Sequence, residues 1–336
     1  MERSPASGKA VCLGGGTGVI PVARGLQAQG MAVAALVATT DDGRSTGLAR
    51  RLFDIPAPGD LRQVIAAFAS DPVVRDLLEY RLDTPVLPAL TGAAFGNLVL
   101  GVLTKTTGSF EAAVHQLTRL AAATIEVVPL TTAQTTLCAA LEDGTVVRGE
   151  VAVRQPGKAP IRSVFLDPAV VATERALQYV RTADLVTLGP GSLFTSVLAC
   201  LAVGGVRAAL AESSALRVAL ANTTTQPGQS DALSLADQIE RLLSASGGAI
   251  DVVLVNRTVP SPAVVARHQQ AGRQLLQLTP ADRDAFLARG VQVVEADLAE
   301  EEAPPRQLWQ KEDAIRHAAD KVGAALVALL KARSQR

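Results

Sequence analysis

The chain has 336 residues, enough for one large α/β domain or two ordinary ones; it is 48% hydrophobic but only 3% aromatic, so its core must be built from Ala, Val and Leu. Lys plus Arg equals Asp plus Glu at 32 each, so no net field draws the chain to nucleic acid or to an anionic membrane, and neither is expected as a partner. Met1 to Lys9 lacks the apolar stretch of a signal peptide, no segment reaches the length of a bilayer span, and Cys12, Cys138 and Cys200 form no C-x-x-C pair; a cytoplasmic protein with buried, reduced thiols is expected.

In chain order, short apolar runs predict buried strands at Ala10–Leu13, Val33–Ala38, Leu185–Leu188, Arg217–Leu220, Val252–Val255 and Val291–Glu295. Helical patterns fall at Val19–Gln29, Leu61–Ser70, Pro72–Arg81, Phe95–Thr104, Phe110–Ala122, Thr173–Arg181, Leu193–Leu201, Leu235–Ser244 and Pro262–Gln274. A closing helix is predicted from about Glu312 to Lys331, after an acidic, proline-bearing loop at Glu300–Pro305. Strands alternating with helices argue for an α/β, doubly wound, mostly parallel sheet with helices on both faces. One stretch breaks the alternation. Thr135–Leu141 and Thr145–Val153 flank Asp143-Gly144 and read as an inserted β-hairpin, with turns at Pro156-Gly157 and Asp167-Pro168. We expect one domain over 1–336, with the hairpin at about 133–155 and a C-terminal strand and helix at about 290–332.

Gly14-Gly15-Gly16-Thr17-Gly18 follows the first strand and opens the first helix, an arrangement that turns backbone N–H groups and a helix N-terminus toward an anion. It is neither a full dinucleotide fingerprint, since Val19 stands where a third glycine would fall, nor a P-loop, since no Gly-Lys-Ser/Thr follows. A phosphate site or a purely structural turn would both use these residues.

Ligands of open α/β sheets bind beyond the carboxyl ends of the strands. There the sequence places Thr39-Thr40-Asp41-Asp42-Gly43-Arg44-Ser45-Thr46-Gly47, then Gly189-Pro190-Gly191-Ser192, and then Asn222-Thr223-Thr224-Thr225-Gln226-Pro227-Gly228-Gln229-Ser230-Asp231. Asp41 lies 23 positions after Gly18, where such folds set an acid against ribose hydroxyls. Asp41 and Asp42 are also candidate Mg²⁺ ligands, or simply turn and cap residues. Ser192 is placed to cap a helix or to help hold a second phosphate. Arg44, Arg50, Arg51 or Arg62 would offset phosphate charge, Arg62 sitting just after a helix start capped by Asp60. His115, His268 and His317 all fall in helical stretches, away from these loops. No Ser–His or Cys–His couple and no zinc cluster is expected, and metal-assisted phosphate chemistry is the one catalytic option supplied.

Several stretches, taken in order, resemble the YvcK/CofD superfamily and in particular its YvcK branch of UDP-sugar-binding gluconeogenesis factors. They are Gly14–Gly18, Asp41-Asp42-Gly43, Pro58-Gly59-Asp60-Leu61-Arg62, Gly96-Asn97-Leu98, Leu141-Glu142-Asp143-Gly144, Gly189-Pro190-Gly191-Ser192-Leu193-Phe194-Thr195-Ser196 and Thr225-Gln226-Pro227-Gly228. Arg316-His317 looks like a trace of the family's C-terminal Arg-His-Asp. The resemblance implies a Rossmann-like, usually dimeric, cytoplasmic protein that binds UDP-N-acetylglucosamine. It is linked to gluconeogenic growth, cell shape and peptidoglycan precursor supply, and an unknown regulatory protein is an expected partner. The sister CofD branch transfers a phospholactyl group from a guanylylated donor using Mg²⁺. By this likeness the glycine loop and Gly189, Gly191 and Ser192 hold phosphates, Asp41 or Asp42 takes the metal position, and Asn97, Asn222, Thr225 and Gln226 line the cleft. The chain departs from the pattern at Arg44, Leu48, Gln229, Gln238 and Ala318. Losing an acid at Gln229 and a histidine at Gln238 weakens turnover more than binding. A nucleotide-sugar-binding regulator therefore stands ahead of a CofD-type transferase, with an NAD(P) dehydrogenase third.

Overall fold

The computed structural model describes residues 8–300 and 316–335. From the amino end, β1 (Lys9–Gly14), α1 (Gly16–Ala28) and β2 (Ala32–Val37) lead into α2 (Arg44–Phe53), α3 (Gly59–Phe68), α4 (Pro72–Glu79), α5 (Phe95–Thr107), α6 (Phe110–Leu120) and β3 (Glu126–Pro129). A small unit follows: β4 (Thr136–Leu141), β5 (Val146–Arg148), α7 (Glu150–Arg154) and β6 (Ile161–Asp167). The chain then forms α8 (Glu174–Thr182) and β7 (Leu185–Leu188), and a π-helical turn at Leu193–Val197 runs into α9 (Leu198–Leu201). After α10 (Val206–Glu212) come β8 (Leu216–Leu220), α11 (Leu235–Ser246), β9 (Val252–Asn256), α12 (Pro262–Gln270), α13 (Pro280–Ala288), β10 (Gln292–Ala296) and α14 (Ala319–Ser334).

Seven strands form a parallel sheet in the order β10-β9-β8-β7-β1-β2-β3, and β5-β4-β6 form a separate antiparallel sheet. The side chains of a strand alternate between faces, so each strand feeds two cores. Val11 and Leu13 of β1 pack with Leu36 and with Val180, Leu210 and Ile239 of α8, α10 and α11. Ala10 and Cys12 pack on the opposite face with Val33, Val22, Leu26, Ile65, Val114 and Leu326, contributed by β2, α1, α3, α6 and α14. This is the doubly wound α/β, Rossmann-like arrangement the alternation predicts. The small aliphatic core lets helices approach closely: at the α1–α14 crossing, a Cβ on Gly25 or Gly323 would run into the backbone of the other helix.

The differences from the sequence reading have local causes. The Asp-Gly hairpin forms, but its second arm ends at Arg148 and the chain turns into α7 instead of continuing as β structure to Val153. Strand β6 joins β4 as a third strand between the two predicted turns. Strand β3 is absent from the sequence reading because Pro129 interrupts its short apolar run; it lies at the sheet edge, where a proline is tolerated. Helix α2 occupies part of what reads as a polar loop, and α10 and α13 are additional to the expected helices. The predicted start of the closing helix, residues 312–315, and residues 301–305 of the acidic loop lie outside the described residues. His317 is not helical but forms an antiparallel bridge with Ala299. Among the described residues no helix is long and apolar enough to cross a membrane.

Candidate functional site

The sheet order decides which loops can meet. Strands β8, β7, β1 and β2 are contiguous, and they carry the four polar loops read from the sequence. Between β1 and β7 the winding reverses direction, since the chain leaves β1 toward β2 and later returns to β1's other side. Such a switch point opens a crevice between the two loops that flank it.

The two loops at this crevice touch. A Cβ on Gly18 would overlap the Pro190 carbonyl oxygen, so only glycine permits the approach. Gly15, the N-cap of α1, makes no side-chain cap bond, which leaves the first-turn amides turned outward. A Cβ on Gly15 would stand 2.6 Å from Ser196 Oγ and 3.1 Å from Asp60 Oδ2. One on Gly16 would stand 2.8 Å from both Asp60 Oδ1 and Gln63 Oε1. Gly14 and Gly16 are buried while Thr17 is exposed. Across the crevice, Gly189 has φ +77° and precedes a cis Pro190. Ser192 caps the following helix, accepting from Thr195 N at 3.3 Å, and donates to Gln229 Oε1 at 2.6 Å. Gly191 N donates to Asn222 Oδ1 at 3.4 Å, and Asn222 Nδ2 donates to Gln238 Oε1 at 3.5 Å. Gln229 and Gln238, two of the departures from the family pattern, thus both support the second glycine loop.

Other candidates are engaged differently from the sequence reading. Arg62 is buried and paired: it is 1% exposed, its Nη1 pairs with Glu79 Oε1 at 2.6 Å and it donates to Leu78 O at 3.2 Å. Its Nε is also buried and finds no hydrogen-bond partner among the described residues. Asp60 is not the cap of α3; that position is Pro58, and Asp60 lies in the first turn with its carboxylate on the glycine loop. Asp42 Oδ1 accepts from Val151 N at 3.0 Å and holds the start of α7. The paired-carboxylate metal site is thereby split. Asp41 Oδ1 accepts from Gly43 N at 2.8 Å, while Oδ2 lies 3.0 Å from where a Cβ on Gly59 would be. Thr225 is drawn into a short ladder with Gln274: its N donates to Gln274 O at 2.8 Å and its Oγ1 accepts from Gln274 N at 2.9 Å. Asn97 Nδ2 donates to Ser45 Oγ at 3.0 Å.

Arg81 is a further cation, which no local signal in the sequence singles out. It is partly buried, donates to Gly92 O at 3.2 Å and lies in the electrostatic field of Asp41. Burial and the neighbouring Arg62 guanidinium lower its pKa, against the pull of Glu79 and Asp41. A guanidinium so placed is stabilised by any added anion. The cysteines are inert here: burial pushes Cys12 up to about 12 and raises Cys200 as well.

A strap of chain spans the two sides of the crevice. Asp42 holds the start of α7 on the β2 side, and α7 packs against the Leu193–Val197 turn. On the β8 side, Lys158 Nζ donates to Gly228 O and Gln155 O, and Gly228 (φ +77°) sits so tightly on Arg154 and Pro156 that no side chain fits.

The polar ledger of these loops does not close. Thr40 Oγ1, Gln63 Oε1, Asn97 Oδ1, Gln226 Oε1 and Gln238 Nε2 are buried and find no hydrogen-bond partner among the described residues. The large majority of such atoms are ordinarily paired. These residues follow β2 and β8, touch the glycine loop, or contact Ser45 and Asn222. No three His, Cys, Asp or Glu side chains converge on a metal position among the described residues. Mg²⁺ needs fewer, since it is held by one or two carboxylates with ligand phosphates and water. Asp41, whose Oδ2 lies beside Gly59, and Asp60, whose carboxylate lies on Gly15 and Gly16, are separate single-carboxylate candidates for that partial donor set.

The family model described as 2-phospho-L-lactate transferase CofD matches residues 10–299. The gluconeogenesis factor of Bacillus subtilis (strain 168) is 33% identical over 326 residues, covering 96% of this chain and 98% of its own. That of Listeria innocua is 34% identical over 330 residues, covering 96% and 95%. A crystal structure of a UPF0052-family protein from Bacillus halodurans matches with a TM-score of 0.86 at 31% identity, over 96% of this chain and 99% of that one. The chain belongs to the CofD family, among its YvcK-like members whose relatives are named gluconeogenesis factors.

Proposed function

We propose that this YvcK-like member of the CofD family binds a nucleotide diphosphate sugar, UDP-N-acetylglucosamine by resemblance, and acts as a regulator without turnover. One observation carries the reading: buried polar atoms without partners gather around the touching glycine loops, at the switch point where such folds take their ligands. The outward amides of Gly16–Gly18 and the Gly189–Ser192 loop would hold the pyrophosphate, and Arg81 would offset its charge in place of Arg62. A Mg²⁺ held by Asp41 or Asp60 would neutralise further phosphate charge. Neutral Gln229 and Gln238 beside Ser192 and Asn222 favour binding over proton transfer. The resemblance supplies the setting: a cytoplasmic homodimer that reports precursor supply to a protein partner in gluconeogenic growth and cell-shape control.

Calorimetry with UDP-N-acetylglucosamine, with and without Mg²⁺, tests the reading. Saturable one-to-one binding with no loss of the sugar nucleotide is expected, and absence of binding at millimolar ligand would overturn it. The match to the transferase model keeps a second reading alive. Mg²⁺-dependent consumption of a guanylylated phospholactyl donor, abolished in Asp41→Ala, would establish it instead.

A further inference from the structure

Three contacts converge on Ser192 Oγ. Thr195 N and Thr195 Oγ1 lie at 3.3 and 2.9 Å, and Gln229 Oε1 lies at 2.6 Å. A serine hydroxyl has two acceptor lone pairs and a single proton. The two Thr195 groups donate and fill the lone pairs, so the proton goes to Gln229. The length agrees, since 2.6 Å is ordinary for O–H···O and short for N–H···O. The Oε1 end of the Gln229 carboxamide is therefore fixed on Ser192, and its Nε2 end is left over.

We propose, on the nucleotide-sugar reading, that Gln229 Nε2 is a phosphate ligand of the crevice. Ser192 Oγ then makes no phosphate bond of its own; it is a positioning group that holds the carboxamide with its N–H groups presented.

Bracing the Ser192 cap needs Oε1 alone. Gln229 is half-buried, and its Nε2 donates to no group among the described residues, so two N–H donors remain beside the Gly189–Ser192 loop. The backbone that carries them is pinned. Gln229 N donates to Gln226 O at 3.0 Å, Gly228 N donates to Asp231 Oδ2 at 2.7 Å, and Lys158 Nζ donates to Gly228 O. A donor held this way is ordered before the ligand arrives, which spares the binding step that entropy. The surrounding chemistry points the same way. Residues 189–196 and 222–230 contain no charged side chain, so these two loops can meet an anion only with backbone amides, hydroxyls and carboxamides. With the Ser192 proton already committed, the Gln229 carboxamide is the side-chain donor this loop pair has to offer next to Gly191 and Ser192.

Gln229→Glu is the sharp test, because a carboxylate keeps the acceptor for Ser192 and replaces only the donor. Calorimetry without Mg²⁺ should show inorganic pyrophosphate and UDP-N-acetylglucosamine each binding at least about 10-fold more weakly than to wild type, with the urea midpoint unchanged. The uncharged Gln229→Ala should weaken both probes by a similar factor. Ser192→Ala should weaken them as well, and the Ser192→Ala, Gln229→Ala double variant should bind no more weakly than Gln229→Ala alone. Wild-type affinity for pyrophosphate in Gln229→Glu or Gln229→Ala would overturn the assignment. Additive losses in the double variant would give Ser192 Oγ its own phosphate bond and overturn its positioning role. A wild-type chain that binds neither probe would remove the nucleotide reading, and this assignment with it.

Discussion

Alanine at Gly18 should force apart the two loops that frame the crevice. The new methyl would meet the Pro190 carbonyl oxygen, with Pro190 C at 3.0 Å and Gly191 Cα at 3.2 Å close behind. All three are backbone atoms, so no rotamer change relieves the overlap, and the loops must part by roughly 1 Å to restore the 3.0 Å that Cβ contacts keep. Overpacking of this kind costs about 1–3 kcal/mol of stability. The cost to binding is separate. A hydrogen bond to a charged group contributes about 1.5–3 kcal/mol, so losing one amide–phosphate bond weakens affinity by roughly 10- to 100-fold. Urea denaturation would measure the first quantity and calorimetry with UDP-N-acetylglucosamine the second. Gly108→Ala makes the control: it places alanine at φ +71° at the end of α5 with nothing within 4 Å, and should cost about 1 kcal/mol of stability with no change in affinity. If Gly18→Ala loses stability as the control does but binds the ligand normally, the two loops do not grip it together.

Arg62→Leu should destabilise the fold by about 2 kcal/mol in urea, because Glu79 loses its partner and Leu78 O its donor; its effect on ligand affinity should show no added salt dependence, as a buried structural arginine requires. Asp42→Ala should cost about 1 kcal/mol and raise amide exchange across residues 149–154, since it removes the hydrogen bond at the start of α7, while leaving any Mg²⁺ dependence as it was. His317 is held neutral by burial, its pKa lowered to about 4 from 6.5. Between those values the unfolded chain takes up a proton that the folded chain refuses, so this stability is present above pH 6.5 and drains away as pH falls toward 4. The integrated loss is about 3 kcal/mol. Stability curves of wild type and His317→Gln should converge or cross in that window; parallel curves would contradict the burial argument.

Much of the scaffold is legible because buried parallel strands announce themselves as unbroken apolar runs; Leu185–Leu188 matches its strand to the residue. The four polar loops are also legible, since the ends of such strands are where polar residues accumulate. What escapes is set by tertiary contact. Nothing local marks Asp60 as the carboxylate on the glycine loop, or Gln63 as its neighbour, because α3 must first dock on α1. Whether Arg62 or Arg81 is the more deeply buried is hidden for the same reason, since it depends on how α3 and α4 pack. Asp41 and Asp42 are adjacent in sequence, yet one turns toward Gly59 and the other toward α7. Strand β6 hides because its burial alternates irregularly beside a sheet of only three strands.

The mid-sheet position of β1 governs when the two touching glycine loops can meet during synthesis. Its flanking strands come from residues 32–37 and 185–188, so a nascent chain carries the first of these loops long before the ribosome has made the second. Until then the β7-facing edge of β1 stays unpaired, an open hydrogen-bonding edge of the sort that invites intermolecular association. Closing it joins residues 175 apart, an entropically slow step of the kind that long-range parallel pairing imposes. A ligand gripped between these loops, as proposed above, would therefore assist only the end of folding.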